Sequence, residues 1–158
     1  MASITAVAAR LLRKTPFRTF VLYPLITLIW ELSFRQGRLD LQPIFFPLML
    51  WGYLQYRLCG RYRIKRGGGG PGLEIPPERL VTTGPYAYTR NPMYLGHIIF
   101  LAGLTLTLKS LLAGLLTGAG ACWFHARALK DERRMTERFG TPYVEYTASV
   151  KRWLPGLF

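Results

Sequence analysis

The chain has 158 residues, half of them hydrophobic, yet it carries 21 Lys and Arg against 8 Asp and Glu, a net charge of +13. One domain is expected at this length. Apolar runs alternate in blocks with basic clusters, which excludes an evenly charged soluble surface and leaves too little water-soluble chain for a nucleic-acid-binding face.

In chain order, residues 1–14 are charged and lack an apolar core ahead of a small-residue cleavage site, so no cleavable signal peptide is expected. Apolar stretches follow at about 17–33, 41–59, 94–108 and 110–129. Each approaches the ~20 residues of a bilayer crossing. The first contains Pro24 and Glu31, the second Pro43 and Pro47. Interior prolines are tolerated in membrane helices because neighbours satisfy the freed backbone groups. Only Lys109 and Ser110 join the third and fourth stretches, which dictates a tight antiparallel hairpin. Gly114, Gly118, Gly120 and Ala121 permit close helix packing. The expected fold is all-α: a single integral-membrane domain over 1–158 with four transmembrane helices and short cytoplasmic C-terminal helices.

Basic residues orient such a chain. Arg10, Arg13, Lys14 and Arg18 precede the first stretch; Arg57, Arg61, Arg63, Lys65, Arg66, Arg79 and Arg90 are read as the loop after the second. The tail adds Arg127, Lys130, Arg133, Arg134, Arg138, Lys151 and Arg152, whereas the opposite side holds Arg35, Arg38 and Lys109. The excess puts both termini and the long loop in the cytoplasm. Anionic headgroups then account for much of the positive charge. Cys59 and Cys122 lie in no CxxC pattern and have no ligand set nearby, so neither a disulfide framework nor a metal site is expected. Gly67–Gly70, with Pro71 and Gly72, reads as a flexible hinge; no strand precedes it and no GK[ST] follows, so it is not a phosphate loop.

Two segments carry chemistry. In the first, Gly84-Pro85 forms a turn and Asn91-Pro92 reads as an N-cap followed by proline at the first helical position. A helix start there favours an anionic group, and Tyr86, Tyr88 and Tyr94 cluster around it. An interfacial aromatic belt with a helix cap explains the same residues. In the second, a helix continues from the fourth stretch through Phe139, stops at Gly140, and gives way to a short helix opened by Thr141 and Pro142. Arg127 and Asp131 share one face, as i,i+4 neighbours do. The acidic pair Asp131-Glu132 in so basic a tail suits a cationic ligand held near the membrane.

The pattern Gly84-x-Tyr86…Arg90-Asn-Pro-x-Tyr94-x-Gly96, followed by Asp131-Glu132…Phe139-Gly-x-x-Tyr143-x-x-Tyr146, resembles the isoprenylcysteine carboxyl methyltransferases and the wider group of phospholipid methyltransferases. The resemblance covers about residues 75–155. It implies a membrane methyltransferase that uses S-adenosyl-L-methionine at a non-Rossmann site and acts on a lipophilic or lipidated substrate. By the same resemblance Glu78, Arg79, Leu80, Val81, Tyr86, Asn91, Pro92, Met93 and Tyr94 wrap the cofactor. Asp131 and Glu132 hold its amino-acid end, and Arg127 faces a substrate carboxylate. The family often has His at the position of Asn91 and Glu at that of Asp131, and both changes keep a polar or acidic group.

The nucleophile sets what else is required. A carboxylate attacks as it stands, oriented by Arg127, whereas an amine needs a base such as His125 or Glu132. Arg127, always protonated, cannot be that base. His97 and His125 also read simply as interior or interfacial histidines. Carboxyl O-methylation is the preferred expectation, with phospholipid or amine N-methylation as the alternative. Two other classes remain open: an NADPH-dependent sterol-type reductase using Arg61–Arg66 for the 2′-phosphate, and a non-catalytic lipid-binding protein.

Overall fold

The computed structural model describes Ala6, Leu12 and residues 14–70 and 75–154. Expectations resting on the N-terminal segment, Arg10, Arg13, Pro71 and Gly72 fall outside them. The described residues are helical, with no β-strand among them. Helix α1 spans Thr15–Phe34 and contains a π-helical turn, Arg18–Leu22, just before Pro24. A 3-10 turn, Pro43–Phe45, leads into α2, Phe46–Gly67. Then come a second 3-10 turn, Gly84–Ala87, and helices α3 (Pro92–Leu108), α4 (Leu111–Phe139) and α5 (Thr141–Ser149).

Of these, α1 is both long and apolar enough by itself to cross a membrane, while α3 is apolar but shorter. The reason lies in the sequence of the other long helices. α2 passes from Phe46-Pro-Leu-Met-Leu-Trp51 into Arg61-Tyr-Arg-Ile-Lys-Arg66, and α4 from Leu111-Leu-Ala-Gly-Leu-Leu116 into Lys130-Asp-Glu-Arg-Arg134. Arg57, Arg61, Arg63, Lys65 and Arg66, expected in a loop, therefore stand on the last turns of α2. Gly60 is the one glycine inside this run, and no proline interrupts it before Gly67.

The contacts divide the chain into two compact units. One comprises the described chain up to Tyr53 together with His97–Gly120. Its core is Phe100, Leu101, Leu104, Leu108 and Ala113, packed by Phe20, Tyr23 and Met49. Phe20 meets Phe100 edge-on at 4.8 Å and stacks on His97 at 4.7 Å. His97 is thus an interior aromatic partner. The hairpin between α3 and α4 is closed as expected: Lys109 takes φ +45°, and Ser110 Oγ accepts the Ala113 N–H at 3.2 Å, an N-cap bond. Above the turn, the Thr105 and Thr117 hydroxyls share a 2.9 Å hydrogen bond.

Of the glycines expected to allow close packing, Gly120 does so, a Cβ there lying 3.1 Å from Leu101 Cδ1, but the tightest approach in this unit falls elsewhere. A side chain at Gly114 would make only ordinary contact with Thr105, and one at Gly118 would meet nothing. At Gly103, by contrast, a Cβ would lie 2.8 Å from the Met49 backbone nitrogen. Gly103 is therefore the position that lets α3 approach α2. Buried Glu31 pairs with Arg35 at 2.7 Å, and Arg35 also donates to the Lys109 carbonyl at 3.1 Å. Lys109 in turn binds Asp40 at 3.0 Å.

The other unit comprises Leu54–Gly96 and the described chain from Ala121 onward. Here the glycine run is packed. The Gly67 carbonyl accepts the N–H groups of Glu78 and Arg79 at 2.8 and 2.9 Å. A Cβ on Gly67 would sit 2.6 Å from Val81 Cγ2. The run read as a hinge is thus, at Gly67, a point of close backbone approach. Cys59 is buried and Cys122 exposed, and both are free.

Candidate active site

The second unit holds a partly open pocket with about 820 Å³ of empty space, mouth included. Each wall follows from local sequence. Pro92 cannot donate to a preceding turn, so α3 starts there, and the Asn91 carbonyl accepts the Leu95 N–H at 3.0 Å. This start carries Asn91, Pro92, Met93 and Tyr94 into the lining. Asp131 and Glu132 enter from α4, with Arg134 and Met135 beyond them. Leu80 and Val81 form an apolar wall, and Tyr86 comes from the 3-10 turn.

The structure thus brings together nine of the expected residues: Leu80, Val81, Tyr86, Asn91, Pro92, Met93, Tyr94, Asp131 and Glu132. Glu78 and Arg79 are exposed and outside the lining; their backbone is used to fasten the end of α2. Tyr88, expected to cluster with Tyr86 and Tyr94, is 69% exposed, because the 3-10 turn directs Tyr86 inward and leaves Tyr88 outside. Arg127 does not line the pocket, but its Nε lies 3.4 Å from Asp131 Oδ1.

The two carboxylates have different surroundings. Asp131 accepts a short hydrogen bond from the Tyr94 hydroxyl and pairs with Arg127, while Arg134 approaches to 3.9 Å. Glu132 receives Arg152 through two bonds of 2.9 Å, Nε to Oε1 and Nη2 to Oε2, and Arg90 at 3.3 Å. The Asn91 carboxamide donates to Glu132 at 3.5 Å and to the Arg152 carbonyl at 3.3 Å.

Tyr143 and Tyr146, noted in the sequence as pattern residues and not as site residues, complete the wall from α5. The Tyr146 hydroxyl donates to the Tyr86 carbonyl at 2.6 Å. Burial pushes the Tyr143 hydroxyl up to about 12, with the Glu132 charge adding to the effect, and raises Tyr86 and Tyr146 in the same direction. Arg63, Pro76, Pro77, Arg90, Arg134 and Met135 were also not singled out as site residues. The signal for Tyr143 was available: Tyr143 and Tyr146 lie one helical turn apart, on one face.

His125, a candidate base, accepts the Trp153 indole N–H on Nδ1 at 3.2 Å. The Nδ1 lone pair is therefore engaged. No group of three or more potential metal ligands occurs among the described residues.

With this geometry in hand, the comparisons with known proteins fall on the same stretch. Residues 70–141 match the model of the phospholipid methyltransferase family. That match covers a little under half of the chain. The matched stretch contains α3, the whole of α4 and both pocket carboxylates. The chain is also 33% identical over 78 residues to a Protein-S-isoprenylcysteine O-methyltransferase of Schizosaccharomyces pombe. That alignment covers 48% of this chain and 33% of the relative, so the chain spans about a third of the length of the curated relative it matches. No solved structure gives a significant match. The family is membrane-associated, in keeping with the apolar helix α1.

Proposed function

We propose that this protein is an S-adenosyl-L-methionine-dependent methyltransferase acting at the membrane on a lipophilic substrate, by preference on a carboxylate. The observation that carries the reading is the convergence of Tyr94 and Asp131 on a pocket lined mostly by the stretch that matches the family.

The lining suits the cofactor chemically. Asp131 offers a carboxylate to an ammonium, and the start of α3 at Asn91 offers a positive dipole end to a carboxylate. The faces of Tyr86, Tyr94 and Tyr143 suit a sulfonium, as aromatic rings favour cations. Leu80, Val81, Met93 and Met135 suit a nucleoside. The absence of strands from the described residues fits a non-Rossmann site. When bound, S-adenosyl-L-methionine supplies an activated methyl group on sulfur. The protein's share of catalysis is then chiefly orientation and exclusion of water.

Arg127 selects the acceptor in this reading. A guanidinium pairs with a carboxylate in a planar, two-point geometry and cannot take a proton. His125 Nδ1 is engaged by Trp153 and Glu132 by two arginines, so both bases considered for an amine are already committed. Carboxyl O-methylation therefore leads, with amine N-methylation second. The likeness to the O-methyltransferase of Schizosaccharomyces pombe supports the same preference.

We place the spans at about 17–33, 41–59, 94–108 and 110–129, with both termini and the pocket on the cytoplasmic side. The distribution of Lys and Arg supports this orientation. α1 would cross by itself, while α2, α3 and α4 would cross as a packed group.

Incubation of the purified protein with methyl-labelled S-adenosyl-L-methionine and a total lipid extract tests the function. A base-labile labelled product establishes ester formation, and a base-stable one establishes N-methylation. Label in neither fraction overturns the reading.

A further inference from the structure

Both acidic residues of the pair enter the pocket lining and both reach distant chain, Asp131 through Tyr94 and Glu132 through Arg90 and Arg152, but only Glu132 is held in two-point contact by a guanidinium. Its carboxylate is only 14% exposed and faces two guanidinium groups, Arg152 in two-point contact and Arg90 beside it. Together the three groups carry a net positive charge. A ligand ammonium brought to Glu132 would meet that surplus and would have to displace an arginine. Asp131 has a looser environment: one oxygen takes the Tyr94 hydroxyl, and the other has Arg127 at 3.4 Å and a half-exposed Arg134 at 3.9 Å.

The arginines on Glu132 are themselves fastened to two distant segments. The Arg90 N–H donates to the Lys151 carbonyl at 3.0 Å, and its Nη1 donates to the Thr147 carbonyl at 3.1 Å. The Arg152 carbonyl accepts from Thr89 Oγ1 at 2.9 Å and from the Asn91 carboxamide. The end of α5 and the chain following it are thereby held against residues 89–91. α5 carries Tyr143 and Tyr146, which form one pocket wall.

We propose that Glu132 is a positioning residue and not a cofactor ligand: shared by Arg90 and Arg152, it clamps the C-terminal segment to the start of α3 and so fixes the α5 wall. Asp131 alone then meets the ammonium. The inference rests on the methyltransferase reading for its ligand, but the clamp itself does not.

The test uses full-length protein and two probes, S-adenosyl-L-methionine and 5′-methylthioadenosine, which has the nucleoside but no amino-acid end. Glu132→Gln is expected to weaken both by the same factor, about tenfold. Arg152→Gln should reproduce the loss, and the double variant should add little, as for two members of one network. Asp131→Asn should weaken S-adenosyl-L-methionine alone. Loss confined to S-adenosyl-L-methionine in Glu132→Gln, with Arg152→Gln silent, makes Glu132 a ligand and overturns the proposal. Should Glu132→Gln fail to fold, Arg152→Gln carries the comparison. If the unmodified protein binds neither probe, the methyltransferase reading falls. Limited proteolysis then judges the clamp separately: faster cutting between residues 140 and 154 in Arg152→Gln, and not in Asp131→Asn, sustains it, and equal protection removes it.

Discussion

The hydroxyl of Tyr94, in the first turn of α3, donates a hydrogen bond to Asp131 in the C-terminal half of α4. This bond aims the ring at the pocket and fixes the carboxylate that the functional reading assigns to an ammonium.

Replacing Asp131 by Asn should lower affinity for S-adenosyl-L-methionine about tenfold or more, since a hydrogen bond to a charged group contributes roughly 1.5–3 kcal/mol. Tyr94→Phe should cost less, because it removes the orienting bond and keeps the ring. Isothermal titration calorimetry on folded variants reads both. Unchanged affinity in the pair would remove the site assignment.

Arg127→Gln should reduce turnover more than cofactor affinity if the acceptor is a carboxylate. Its pairing with Asp131 is a single contact between partly exposed groups, worth about 0–1 kcal/mol to stability, so the fold should survive. Steady-state kinetics on a labelled lipid acceptor separates the two effects. An unaltered rate would point to an amine.

The site tyrosines make stability depend on alkaline pH. Burial raises Tyr143 to about 12 and moves Tyr86 and Tyr146 in the same direction. An unfolded tyrosine ionises near 10. Between those values the unfolded chain has lost protons that the folded protein retains, so the stabilisation is full below about pH 10 and is lost as pH rises toward about 12. A melting temperature measured across this window should fall, and tyrosinate absorbance should develop late. A flat melting profile would show that these hydroxyls are not buried.

Gly67→Ala should destabilise the pocket-bearing unit by about 1–3 kcal/mol, the usual range for overpacking. The added methyl would lie 2.6 Å from Val81 and 2.9 Å from the Arg79 carbonyl. Denaturant unfolding measures the loss; Gly118→Ala, which meets no neighbour, is the matched control and should leave stability nearly unchanged.

The helices and their punctuation were legible from sequence. Pro92 starts α3, Lys109 and Ser110 close a hairpin, and Gly140 separates α4 from the helix opened by Thr141 and Pro142. These are local effects of backbone geometry and apolar runs, readable within a few residues. The Asn91, Tyr94 and Asp131 constellation was reached through a recurring pattern and not through any local rule.

What neighbouring residues could not specify was the partner of each charged group. Asp131 and Glu132 are adjacent and chemically alike, yet one meets Tyr94 and the other is held by Arg90 and Arg152. Successive helical residues point about 100° apart. Their partners lie 20 to 42 residues away in the chain. Sequence by itself therefore determined that an acidic pair stands past the apolar half of α4. Only the packing of the start of α3, α4 and the C-terminal segment decided which carboxylate meets Tyr94 and which meets two arginines, because long-range charge pairing depends on where folded elements meet.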